Sequence, residues 1–135
     1  WADNTKSFDN NFSICLIAYN RLNSIKRLLL SLDNAVYPCP VKLYISVDKS
    51  DVDAIHEIST DFHWKYGEKE VIRHNKNLGL RKHILECGNL LQKHDALIVL
   101  EDDIVVAPGF YLFAQAIPAE ALWPKDICVL KILKI

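Results

Sequence analysis

Short apolar runs alternate along this chain with segments whose apolar residues recur at helical spacing, and that alternation constrains the fold more than any single motif. Residues 12–18 (FSICLIA) form a partly β-branched run of the kind found in strands covered on both faces. The period then changes. Leu22, Ile25, Leu28, Leu29 and Leu32 recur as on one face of a helix, with Arg21, Lys26 and Arg27 on the other. This predicts an amphipathic helix over about 23–34, ended by Pro38 and Pro40. Residues 41–47 (VKLYISV) alternate as a second strand, and Asp51 is placed to cap a helix carrying Ile55, Ile58 and Phe62, with Gly67 as its stop. Residues 71–73 make a brief third strand. After the turn-like 75–79 (NKNLG), Leu80, Ile84, Cys87 and Leu91 mark the buried side of a third helix. Residues 96–100 (ALIVL) are a fourth strand, Pro108 and Gly109 open a short helix to about Ile117, and 127–135 (ICVLKILKI) are a last strand candidate. Strands joined by helices imply right-handed crossovers and a mainly parallel sheet. The expected class is therefore α/β, Rossmann-like, with helices flanking the sheet.

Composition agrees with one globular domain: 135 residues, 50% hydrophobic and 24% charged. Residues 1–11 are expected to be a flexible arm and 12–135 a single domain. Uninterrupted apolar runs such as 96–100 and 104–107 fall far short of the roughly 18 residues of a membrane span, so none is expected. The opening WADNTKSFDN has no secretory pattern, which makes the expected location cytoplasmic. A net charge of −1 with interspersed signs offers no nucleic-acid footprint. Cys15, Cys39, Cys87 and Cys128 form no C-x-x-C pair and read as buried free thiols. His83 and Cys87 are helix neighbours but lack the second pair a zinc site needs. His56, His63, His74 and His94 read as solvent-facing or structural, and Trp1, Trp64 and Trp123 are too scattered for a stacking platform.

Chemistry is expected outside the carboxyl ends of the strands, where ligands of such sheets sit at a switch in strand order. Three strand ends there carry polar groups: Tyr19-Asn20-Arg21, Asp48, and Glu101-Asp102-Asp103. Three consecutive carboxylates repel one another unless a cation or a turn relieves them. Oxygen donors of this kind suit Mg²⁺ or Mn²⁺, which needs only one or two carboxylates when a substrate diphosphate supplies the rest. In an extended chain Glu101 and Asp103 point one way and Asp102 the other. A bare E-D-D is more often a solvated turn, so the surrounding sequence has to decide.

That context resembles a known family. Residues 77–83 (NLGLRKH), followed by 96–110 (ALIVLEDDIVVAPGF), resemble the inverting glycosyltransferases of family 2. They are also similar to the N-acetylglucosaminyltransferase I group, whose E-D-D is likewise followed by an apolar segment and a proline. The first strand and loop, 12–21, match the same pattern, so the resemblance covers about 12–117. It implies a GT-A nucleotide-sugar-binding domain with a nucleotide-sugar donor, usually a UDP-sugar, and a saccharide or other hydroxyl acceptor. By this resemblance Ala18, Tyr19, Asn20 and Arg21 line the nucleotide pocket, and Asp48 recognises the base or a ribose atom. Gly79 lets the backbone approach the nucleotide, and Arg81 offers positive charge to base or phosphates or stands solvated on its helix. Glu101 and Asp102 contact ribose and donor sugar, and Asp103 ligates the metal.

An inverting transfer also needs a general base. In the family that carboxylate lies downstream of the acidic motif, and this chain ends before it. The missing initiator Met leads to the expectation of a chain that begins inside a longer product, and the apolar 127–135 end to that of a fragment, a shortened product or half of a site completed by a partner, with self-association through that segment as one outcome. The readings are then a glycosyltransferase or its donor-binding fragment, or a nucleotide-sugar-binding module without turnover. A receiver-type Mg²⁺-binding signalling domain is a further class, but its acidic pair belongs after the first strand, where this chain has Tyr19-Asn20-Arg21.

Overall fold

The computed structural model describes residues 12–51, 53–88 and 97–116, with the side chains of Arg81, Ile84 and Cys87 outside that description. The arm at 1–11, Leu91, His94, Ala96, Trp123, Cys128 and the apolar 127–135 segment also lie outside the described residues. Among those described, the order is β1 (Ser13–Ala18), α1 (Leu22–Asp33), β2 (Leu43–Val47), α2 (Ala54–Asp61), β3 (Lys69–Arg73), α3 (Gly79–Gly88), β4 (Leu97–Glu101) and α4 (Phe110–Ala116). The strands form one sheet in the order β3-β2-β1-β4, every pair parallel.

Period-two alternation divides β1 between two cores. Ile14, Leu16 and Ala18 join the large cluster that also takes Ile25, Leu28, Leu29 and Leu32 of α1, Ile55 of α2, and Phe110, Tyr111 and Ala114 of α4. Cys15 and Ile17 face the other way, with Tyr44, Leu97 and Val99. Ser46 shares the Tyr44 face of β2, and its contact with His83 sets α3 on that second side. Helices therefore cover both faces, which is why β1 and β2 are buried at every position. Each large apolar side chain buried this way contributes about 1.5–3 kcal/mol.

An aromatic box closes the end of the large core. Tyr37 stacks edge-on against Trp64, Phe110 and Tyr111 and tilts over Tyr66. Their polar tips each reach a backbone carbonyl: Tyr37 to Leu32 at 2.7 Å, Trp64 to Val41 at 2.7 Å, Tyr66 to Asp33 at 2.8 Å and Tyr111 to Phe12 at 2.9 Å. These bonds join α1, β1 and the approach to β2 without leaving a buried hydroxyl unmatched.

Three local expectations are corrected. Asp53, not Asp51, stands at the start of α2, and its carboxylate takes Arg73 rather than a helix N–H. That helix stops at Asp61, well before Gly67, where Lys69 Nζ donates to the carbonyls of Ser59, Thr60 and Phe62 and supplies the cation favoured at a helix C-terminus. Gly67 is instead required by close approach, since a Cβ there would stand 2.2 Å from the Val41 carbonyl oxygen. On α3, Leu80 and Leu85 are exposed, and among the described side chains of that helix the buried one is His83.

Candidate functional site

With β2 on one side of β1 and β4 on the other, the strand order reverses at β1, and a pocket of about 330 Å³ opens there at the carboxyl edge. Its walls are Ile17, Ala18, Tyr19 and Arg21 from the end of β1, Asp48 from β2, Asn77, Gly79 and Leu80 from the start of α3, and Glu101, Asp102 and Asp103 from β4. Most of the candidates from the sequence thus meet in one place. Asn20 is exposed and does not line the pocket; the backbone of Arg81 lies in α3. Leu80 is 56% exposed because it hangs over the pocket mouth rather than entering the core.

The acidic triplet is not an extended strand end. β4 stops at Glu101, and the chain turns through Asp102 and Asp103, closing with Ile104 N–H to the Glu101 carbonyl at 3.4 Å. The turn abolishes the alternation expected of a strand, so all three carboxylates line the same cavity. Asp102 accepts the backbone N–H of Tyr19 at 3.2 Å, which ties the ends of β1 and β4 together across the crevice. Asp103 pairs with Arg21 at 3.5 Å. Burial pushes the Asp102 carboxyl above its ordinary range; the Tyr19 N–H and Arg21 oppose this, and Asp103 and Glu101 add to it. Among the described residues, three carboxyl side chains and the Arg21 guanidinium line the pocket, a balance that suits a divalent cation.

Asp48 is 4% exposed, and its carboxylate is engaged by the backbone. Oδ1 accepts from Leu78 at 2.7 Å and from Lys49 at 2.9 Å, and Oδ2 accepts from Gly79 at 3.0 Å. The Leu78 and Gly79 bonds satisfy N–H groups at the start of α3 and place an anion at its positive end. Gly79 itself has φ of +75°, with no atom near the position of a missing Cβ. Its glycine is demanded by backbone conformation, and it lets the chain turn sharply into α3.

Behind Asp48 lies a polar network that sequence reasoning missed. Ser46 Oγ is 2.6 Å from His83 Nε2 and 2.8 Å from His74 Nε2, and the two rings meet edge to face at 5.0 Å. Burial, with His74 alongside, pushes His83 down to about 4, so its ring is neutral near pH 7. The only signal for it was a histidine at a position where the helical pattern of α3 turns inward, one residue before Ile84.

Chemically, the donor set is all oxygen and open on one side. Among the described residues no three His, Cys, Asp or Glu side chains converge as a closed metal cage. One or two carboxylates at an open pocket fit a hard cation that is completed by substrate oxygens. Also among the described residues, no helix is long and apolar enough to cross a membrane.

Comparison with solved structures bears on the fold. The chain superposes on the crystal structure of S. aureus TarS 1-349 with a TM-score of 0.56 and 14% identity, over 78% of this chain and 32% of that one. The crystal structure of S. aureus TarS 1-349 in complex with UDP-GlcNAc matches with the same TM-score, identity and coverage of this chain, over 30% of its own. The chain thus spans about a third of the solved chains it matches, and the shared part is the parallel, helix-flanked GT-A fold. No curated protein matches it in sequence. The model for glycosyl transferase family 2 matches residues 13–129, which takes in both the β1 loop and the acidic triplet and removes the receiver-type alternative. On that match, and with strand ends that build one acidic crevice at the switch point, the chain belongs to glycosyl transferase family 2.

Proposed function

We propose that this chain is the donor half of a glycosyltransferase, binding a nucleoside diphosphate sugar, a UDP-sugar first among them, for transfer with inversion to a hydroxyl acceptor. The observation that carries the reading is the convergence of Tyr19, Asp48, Gly79 and Glu101-Asp102-Asp103 on one pocket at the strand-order switch. The UDP-GlcNAc complex of TarS, a protein of the same fold, supports a UDP-sugar as donor. Tyr19, 40% exposed beside Ala18, offers a ring for the base, and Asn20 and Arg21 follow it at the rim. The three N–H bonds to Asp48 leave about one of its four lone-pair sites for a ligand N–H, compatible with a base contact. Arg81, on the first turn of α3, supplies charge toward base or phosphates in this reading.

Glu101 and Asp102 serve ribose and donor sugar, and Asp103 is the anchor for Mn²⁺ or Mg²⁺. A divalent cation at that position supplies Lewis-acid stabilisation of the charge on the departing diphosphate. The residues of the chain position the donor: Asp102 holds the β1 loop by its N–H, and Asp48 holds the α3 start on which Gly79 sits. No described residue is assigned as general base, so the chain by itself equally supports a module that binds donor without turnover.

Calorimetric titration of UDP with and without Mn²⁺, on the chain and its Asp103→Ala variant, tests the donor site. Metal-dependent binding that the substitution abolishes is the expected result. UDP binding that ignores both metal and Asp103 would overturn the assignment.

A further inference from the structure

The carboxyl edge of the sheet carries a second pocket that the donor reading does not use. It lies between the ends of β2 and β3 and has a volume of about 310 Å³. Its polar wall is Lys49, Ser50, His56, Arg73, His74 and Asn75. Two features partition it from the acidic crevice. Asp48 borders both pockets, with its carboxylate held by the amides of Lys49, Leu78 and Gly79. Asn77 Nδ2 donates to the Lys49 carbonyl at 3.1 Å, joining the loop after β2 to the loop after β3.

Charge is sorted between the two. The crevice at β1 and β4 has three consecutive carboxylates beside Arg21, whereas this pocket has two permanent cations and two imidazoles beside the one carboxylate of Asp48, which backbone amides already engage. The Arg73 guanidinium bonds Asp53 through Nη2 at 2.6 Å, and a guanidinium has five N–H donors, so others remain for a ligand. His74 has a buried support. Ser46, 2% exposed, lies between its Nε2 and that of His83, and a hydroxyl has one proton to give. When Ser46 donates to the neutral His83 ring, its oxygen accepts from His74 Nε2–H. The charged and titratable groups around it are Asp48, Lys49, His56, Arg73 and His83.

We propose that this pocket is a binding site for a tetrahedral oxyanion, either free phosphate or the phosphate of a phosphomonoester, held by Lys49, Arg73 and His74 with Ser50 and Asn75 as neutral donors. The donors come from the loop after β2 and the end of β3, so they close on an anion from more than one side. That arrangement suits a tetrahedral group with several acceptor oxygens better than a planar carboxylate, which is met by a single fork. The site is independent of the donor reading, because none of Lys49, Arg73 and His74 lines the acidic crevice.

The test is titration of the full chain with inorganic phosphate and, separately, with glycerol 3-phosphate at low ionic strength, followed by amide NMR shifts. Saturable shifts at Ser50 and Asn75 are expected, weakened about tenfold or more in Arg73→Ser and in His74→Gln and retained in Asp103→Asn. Tighter binding of the ester assigns the site to a phosphorylated ligand; tighter binding of inorganic phosphate assigns it to the free ion. If Arg73→Ser proves unstable, Lys49→Ser, on an exposed loop, gives the same readout. Shifts centred on Tyr19 and Glu101, or saturation unchanged in these variants, would overturn the proposal.

Discussion

The carboxylate of Asp48 lies 3.0 Å from the backbone nitrogen of Gly79, so the helix that walls one side of the crevice is capped from a strand end 31 residues earlier. The same carboxylate serves Leu78 and Lys49. It therefore sets the geometry of the site from beneath, whatever it also offers a ligand.

Asp48→Ala removes an anion that three backbone N–H groups share and leaves the start of α3 unsatisfied. A loss of about 2–3 kcal/mol in unfolding free energy is expected from urea denaturation. Asp48→Asn, which keeps one acceptor oxygen, falls between the two. An Ala variant as stable as the parent would remove the capping role.

Gly79→Ala forces a Cβ into a φ of +75°, although no atom blocks the space. The cost is then conformational, about 1–2 kcal/mol. Gly109 also has open space around it but needs no left-handed backbone, so Gly109→Ala is neutral or gains up to about 1 kcal/mol. Equal thermal shifts for the two variants would show that steric room, not backbone conformation, governs position 79.

Burial pushes the Asp102 carboxyl above its ordinary range, the Tyr19 N–H and Arg21 oppose this, and Asp103 and Glu101 add to it, so the fold raises its proton affinity. A carboxylate whose folded pKa is raised destabilises the protein above that pKa, and the penalty fades as pH falls through it. Asp102→Asn keeps an oxygen for the Tyr19 N–H and loses the charge. The variant should be more stable at pH 7 by on the order of 1 kcal/mol, with the gain vanishing in acid, while donor binding weakens. Melting curves at pH 7 and pH 4 check both signs.

His83 works in the opposite direction. Its ring is pushed down to about 4, chiefly by burial and by His74, with Asp48 and Ser46 opposing. The unfolded chain binds its proton near pH 6.5, so stability is present above that value and is lost as pH falls toward 4. The full loss is roughly 3 kcal/mol. His83→Gln retains a side-chain donor or acceptor for Ser46 and does not titrate, so the difference between parent and variant should shrink steadily across that window. Parallel pH profiles would mean that His83 is not the group responsible.

Much of the architecture was legible because it depends on local periodicity. The apolar runs at β1, β2 and β4 and the Leu22 to Leu32 stripe of α1 announce their own period and burial, and their predicted bounds lie within about two residues of the observed ones. The acidic triplet and the N-x-G segment could likewise be assigned to strand and helix ends, because each follows an element whose length is readable. The errors fell where a long-range partner outranks the pattern. Leu80 continues an apolar stripe on paper but sits over the pocket mouth, and the inward place goes to His83 because Ser46 is there to bond it.

By itself, then, the sequence determined the alternating α/β plan and which chemical groups stand at the strand ends, since both follow from residue order and side-chain type. The tertiary structure alone decided that β4 pairs with β1 across from β2, which brings Tyr19, Asp48, Gly79 and the triplet to one pocket. It also decided that Asp102 and Asp103 turn to join Glu101, that Asp48 caps a helix begun at Gly79, and that cations gather on the far side of Asp48. Strand order and through-space hydrogen bonds join residues 30 to 83 positions apart, and no local propensity encodes such a separation.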